Sequence, residues 1–188
     1  ADYPIYGMIA NINAFALGVA SVNPRAKVYL AWSKTKDYDR NKFLEENDLH
    51  YVSDQDIITP NDASRYFGLY KLQDGQALNL AMPIWNWGVF YEKLLQSVLA
   101  GSYKVEGQEQ VKALNYWWGM SAGVIDLICS KHVPYGVKRL ADHLKSDITK
   151  GEVVPFFGHI YDQKGELKNK GEHEMKPSDI MKMDWLVD

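Results

Sequence analysis

What most constrains the fold of this chain is a rhythm: short apolar, β-rich runs alternate with helical stretches along its length. Such alternation marks βαβ units, so the fold class expected is α/β with a mostly parallel sheet. "ANINAFALGVASVNP" has helical spacing through Ile9, Ile12, Phe15, Leu17 and Val19, and it ends before Pro24, which cannot continue a helix. "KVYLAWS" (27–33) reads as the first strand. Asp37 and Asp39 suit the N-terminus of a helix through "DYDRNKFLEENDL", and "HYVSDQD" (50–56) reads as the second strand. "TPNDASRYFGLYKLQDG" has the pattern of a helix opened by Thr59 and Pro60 and stopped by Gly75. "LNLAMPIW" is the third expected strand. A helix, "NWGVFYEKLLQSVLAG", follows with Asn86 as its cap and Gly101 as its stop. Strand and turn through "ALNYWWGMSAGVIDLICS", a helix through "YGVKRLADHLKSDITKG" and a hairpin around "DQKG" complete the series. No linker or internal repeat interrupts it, so residues 1–188 are read as one domain.

Composition narrows function by exclusion. At 188 residues, 46% hydrophobic and 24% charged, the chain is long enough for a sizeable core. A net charge of −3 gives no basic footprint for nucleic acid or an anionic membrane, and no run approaches the roughly 20 apolar residues of a membrane span. The single Cys129 has no intramolecular disulfide partner and reads as a small apolar residue. Residues Ala1 to Ile9 do not resemble a signal peptide.

In an open α/β sheet, ligands sit beyond the carboxyl ends of the strands. The expected edges therefore hold Trp32 and Ser33; Asp54, Gln55 and Asp56; Trp85 and Asn86; and Trp117, Trp118 and Gly119. Tryptophan stands at three of these four edges, out of six in the chain, which suggests an aromatic-lined cleft where indoles stack on a planar ligand. Two readings stand for these rings: a ligand platform, or plugs that pack against the sheet's end or a neighbouring domain. Asp54 and Asp56 would share a strand face, an arrangement that serves acid–base chemistry, helix capping or ligand hydrogen bonds. Gly68, inside the helical pattern "SRYFGLY", marks a close backbone approach or a break. His159 and His173 read as structural or solvated histidines rather than metal ligands. Phosphate-cradling loops, zinc-protease motifs and nucleophile elbows are all missing from the sequence, so neither an enzyme nor a metal or other cofactor is expected.

Several segments occur in an order that resembles a known family: "PIYGMIANINAFALGVASVNPRAKVYLAWS", "YVSDQDIITPNDASRYFGLY", "MPIWNWGVFYEKLLQSVLAGSYK", "YWWGMSAGVID", "FFGHIYDQKGEL" and "MKMDWLVD". Together they are similar to the basic membrane protein family, the purine nucleoside receptor-like substrate-binding lipoproteins of bacterial ABC importers. The resemblance covers nearly the whole chain. It implies a Rossmann-like lobe of a type I periplasmic binding protein, with helices on both faces of the sheet. The chain would be the second of two lobes that close on a ligand, with hinge and tail, and hence a fragment of a longer protein.

The resemblance also assigns residues. Gln55 and Asp56 match a polar cluster after the second strand, and Gly68 matches a glycine that precedes a ligand contact, with Leu69 and Tyr70 in the variable places. Trp85 stands before "NWG" where relatives often carry a lysine or aspartate, so a stacking face replaces a charge. Trp117 and Trp118 occupy places often less aromatic in relatives. The function implied is capture of a nucleoside-like planar solute by closure, with Trp32, Ser33, Gln55, Asp56, Gly68, Trp85, Asn86 and Trp118 facing the ligand. Expected partners are that solute, a missing N-terminal lobe, an ABC permease and, through the uncovered inter-lobe face, a second copy of the chain; nucleic acid is not among them. The location implied is extracytoplasmic and membrane-anchored. The alternative is a regulatory or interaction domain using the same fold without transport.

Overall fold

The computed structural model describes residues 1–5, 7–54, 68–101 and 117–188. The chain divides into two units: Ala1–Ile57 together with Val154–Asp188, and Ile58–Val153.

In the first unit, α1 (Met8–Val22) forms where the helical spacing places it and stops just before Pro24. Its inner face carries Ile9, Ala10 and Asn13. Ile9 and Ala10 pack with Phe156, with Ile160 of strand β5 (His159–Tyr161), and with Met183 and Val187 of the C-terminal tail, forming the unit's core. Helix α2 (Arg40–Glu46) is capped as expected, with the Asp39 carboxylate accepting from the Lys42 N–H at 3.1 Å. Strand β1 covers Tyr51–Asp54. The hairpin expected around "DQKG" forms between β5 and β6 (Leu167–Lys170). Its turn is held by Asp162, whose carboxylate accepts from the N–H groups of Lys164 and Glu166, both at 2.9 Å, and pairs with Lys168 at 3.0 Å. Burial pushes this carboxyl's pKa up, but the Glu166 N–H, Lys168 and the Lys164 N–H outweigh it and hold it below the usual range. The tail runs along the hairpin, Asp162 bridging Val187 in antiparallel fashion.

In the second unit, β2 (Gly68–Gln73), β3 (Gln76–Trp85) and β4 (Ile125–Cys129) form antiparallel pairs, β2 with β3 and β3 with β4. This corrects the expected fold class: the sheet is not mostly parallel and not that of a Rossmann-like type I periplasmic lobe. The physical reason lies at Asp74–Gly75. Both residues have positive φ, +51° and +73°, the two left-handed positions of a type I′ turn, and Gln73 pairs directly with Gln76. Asp-Gly therefore reverses the chain into a hairpin instead of ending a helix, and Gly68–Gln73, expected to be helical, is a strand. The earlier part of that expected helix, Thr59 to Phe67, lies outside the described residues. A second expectation also fails, because 27–33 is not a strand. Its end is tied to the first residue instead: the Ala1 amino group donates to Ala31 O at 3.0 Å and the Ser33 N–H donates to Ala1 O at 2.7 Å.

Helix α3 (Trp87–Leu99) and a single 3₁₀ turn (Met120–Ala122) lie in the connection between β3 and β4, and α4 (Tyr135–Lys150) follows, ending at Gly151 as its sequence indicated. Asn86 N–H donates to Val124 O and Ser130 N–H to Leu80 O, so hydrogen-bonded pairs fall on alternate residues and Pro83 opposite Leu127 lies between them. The missing proline N–H thus costs the β3–β4 ladder nothing.

Candidate functional site

The aromatic residues singled out in the second unit gather around the junction of β3 and α3. Trp85, the last residue of β3, pairs with Ile125 and leaves 53% of its surface exposed. A ring fully buried in the unit's own core would have ended its reading as a platform. Asn86 does not cap α3 with its side chain. Instead its amide nitrogen donates to Gly123 O at 2.9 Å while its backbone N–H donates to Val124 O at 2.8 Å, tying the helix start to the loop before β4. Trp118 reaches the same region from that loop, its ring meeting Phe90 edge-on at 5.6 Å. Phe90 also packs edge-on against Trp87 at 5.8 Å and against Tyr91 at 5.5 Å. The structure thus brings Trp85, Asn86 and Trp118 to one end of this unit. Trp85, Trp87, Tyr91 and Trp117 are each more than half exposed there, whereas Trp118 is half-buried and acts as a buttress.

Gly68 belongs to the sheet. Its φ of +59° and the backbone of β3 leave no room for a side chain: a Cβ would run into Ala81 O and stand 2.9 Å from the Met82 Cβ. It sits beside β3 four residues short of Trp85, so the close approach expected from sequence is an approach to a strand. Trp32 and Ser33 lie in the first unit. The Ser33 hydroxyl donates to the Asp2 carboxylate, and the Trp32 carbonyl accepts from Thr35. Gln55 and Asp56 lie outside the described residues. Asp54, at the end of β1, stands 3.9 Å from Arg40 Nε. Burial, followed by the Asp54 charge, raises the pKa of the Tyr38 phenol.

Among the described residues no group of three or more His, Cys, Asp and Glu is placed to hold a metal ion, and no helix is long and apolar enough to cross a membrane. A shallow concavity of about 630 Å³ is lined by Gly136, Arg139, Leu140, Asp142, His143 and Ser146. All six lie on α4, and none of the exposed rings lines it. The site list drawn from sequence omitted Trp87 and Tyr91. The signal for them was present, since residues four apart on a helix share a face.

No protein-family model matches the chain. A purine-binding protein of Brucella abortus is 27% identical over 197 aligned residues, covering 98% of this chain and 54% of that protein. A putative ABC transporter glucose-binding protein of Haloferax volcanii is 30% identical over 137 residues, covering 66% of this chain and 33% of that protein. The chain is thus similar to two solute-binding proteins, one of them named as a putative component of an ABC transporter. The resemblance read from its motifs to a substrate-binding family therefore holds. The chain spans about half the length of the first of these relatives and a third of the second.

Proposed function

We propose that this chain is part of a non-enzymatic solute-binding protein that hands its ligand to an ABC permease, and that it supplies one wall of the ligand site at the β3–α3 junction. The observation that carries this reading is the exposed indole of Trp85 at a strand end, beside a helix start tied down by Asn86. A flat ring held on a rigid strand loses little entropy when a planar solute stacks on it, which suits a nucleobase. The purine-binding Brucella relative supports the nucleoside class. A second reading, a sugar whose apolar face lies on the same indole, is favoured by the Haloferax relative named for glucose.

On this reading the other wall belongs to a first lobe, and the assembled protein works outside the cytoplasm, anchored at the membrane. One wall is weak by itself. Micromolar affinity corresponds to about −8 kcal/mol, so half of that contact free energy leaves roughly millimolar binding. Calorimetry with adenosine, guanosine and glucose tests both points. In the two-lobed protein Trp85→Ala removes stacking of roughly 1–3 kcal/mol, an affinity loss of about 5- to 150-fold. An unchanged affinity in that variant sinks the platform, and tight binding by the 188-residue chain alone sinks the shared wall.

A further inference from the structure

Helix α3 gathers its polar residues Glu92, Lys93, Gln96 and Ser97 on one side and carries apolar residues over about half of its circumference, an apolar arc wider than the part of it that is covered. Here it is covered on one side only. At 100° per residue, Val89, Phe90, Lys93, Leu94 and Ser97 fall on the half-buried face. Trp87, Tyr91, Leu95, Val98 and Leu99 fall within an arc of roughly 120° on the other. Those five are 57%, 57%, 62%, 48% and 87% exposed. Glu92 lies beyond the edge of this arc, so the stripe itself carries no charge. The aromatic end is already ordered, since the Trp87 ring rests on Phe90 and lies 6.4 Å from Tyr91.

We infer that this stripe is an interface with a second copy of the chain, the two α3 helices packing antiparallel about a two-fold axis that crosses the stripe at the level of position 93. The pattern is self-complementary in that register. Residues whose numbers sum to 186 meet, which places Trp87 against the partner copy's position 99 and Tyr91 against its position 95. Each aromatic ring then faces a leucine, and the two helix dipoles oppose each other favourably. The area fits the same occupant. Aromatic side chains carry roughly 150–250 Å² each and buried aliphatic ones roughly 100 Å², so the exposed fractions leave roughly 400–500 Å² per copy. Doubled by symmetry this is roughly 1,000 Å², about the lower limit for a specific interface and too small for an obligate one. The result is a weak, reversible dimer built around Trp and Tyr anchors.

This inference does not rest on the solute-binding reading: Trp87 and Tyr91 belong to the candidate site as well, so Leu95→Glu, farther along the helix, is the variant that separates dimerisation from solute binding. Sedimentation velocity from micromolar to sub-millimolar concentration is the test, with calorimetry on the same samples reporting solute binding separately. The chain is expected to dimerise with concentration, and Leu95→Glu and Tyr91→Lys are each expected to remain monomeric. Mixed together, these two variants are expected to associate with each other, because the introduced opposite charges face one another while the second contact of the pair stays native. A chain that remains monomeric throughout overturns the inference. So does a Leu95→Glu variant that dimerises like the parent, or a mixture that fails to associate. Hydrogen exchange showing the stripe protected in a monomer, by further polypeptide or by a transporter subunit, would equally overturn it.

Discussion

Asn13 is the buried polar side chain on which the C-terminal tail depends. It is 0% exposed on the inner face of α1. Its amide nitrogen donates to the Trp185 carbonyl at 2.9 Å and lies 3.6 Å from the Met183 sulfur, while its oxygen accepts from the Val187 N–H at 3.1 Å. One amide thus serves two backbone groups two residues apart, much as a neighbouring strand would. Truncation by Asn13→Ala strands the Val187 N–H, in a residue only 8% exposed, and deprives the half-buried Trp185 carbonyl of its donor. An unsatisfied buried group costs about 1–3 kcal/mol, so the two together cost about 3 kcal/mol. Hydrogen exchange of the peptide 181–188 reads the effect locally, and protection of the Val187 amide is expected to fall about 100-fold. Asn13→Asp separates hydrogen bonding from packing. The acid keeps the acceptor but gives Trp185 O a carboxylate to face. Buried there, the acid's pKa rises above its unfolded value of about 3.9, so its stabilising contribution is full below that value and is lost as pH rises through the folded pKa. Protection in the Asp variant should therefore approach the parent near pH 4 and decline toward neutrality, while the Ala variant stays uniformly low relative to the parent. A loss of less than fivefold in Asn13→Ala, or a pH-independent Asp variant, would refute the reasoning.

Gly68→Ala places a Cβ against the Ala81 carbonyl at a φ of +59°, so it should lower the thermal midpoint of the second unit by several degrees and expose it to proteolysis; an unchanged midpoint would mean that the strands part easily there. Asp126 on β4 meets Lys145 on α4 at 2.9 Å, and its carboxyl is held below the usual range first by that hydrogen bond and then by the Leu127 N–H. A depressed pKa contributes stability above the unfolded value and loses it as pH falls through the folded one. The midpoint difference between the parent and Asp126→Asn should therefore be full at neutral pH and vanish in acid below the ordinary carboxylate range; a difference that persists there contradicts it.

Local signals were legible and distant partners were not. The limits of α1, α3 and α4 follow from Pro24, Gly101 and Gly151, because a helix stop acts within a turn of where it is written. The sheet's direction is not written that way. "GLYKLQDG" offers Leu69 and Leu72 at helical spacing and a final glycine, and six residues are too few to separate that from a strand. What decides is the pairing of Leu69–Gln73 with β3, and Asp-Gly then reads as a turn. Likewise "KVYLAWS" has the residues of a strand, but Val28 and Tyr29 remain 42% and 46% exposed and no ladder forms on them. β-propensity expresses fit to a half-buried pleat, and without a partner strand it specifies little.

The same distinction runs through the site. Trp85 is exposed because it ends a strand, which its position before Asn-Trp-Gly announced. Asn86 and Ser33 are committed instead to Gly123 and Asp2, 37 and 31 residues away in sequence. The Ser33 hydroxyl proton is spent on a carboxylate, leaving it only acceptor capacity toward a ligand. The Asn86 amide nitrogen is spent on the loop that carries Gly123. That bond makes Asn86 a positioning residue, since it fixes the chain directly after Trp85. Trp118, expected as a second stacking face, makes an edge-to-face contact with Phe90 and so braces the start of α3. On the proposed reading the stacking face is that of Trp85. One face binds a planar molecule from one side only, so the proposed solute needs a second surface opposite Trp85 before it is held tightly.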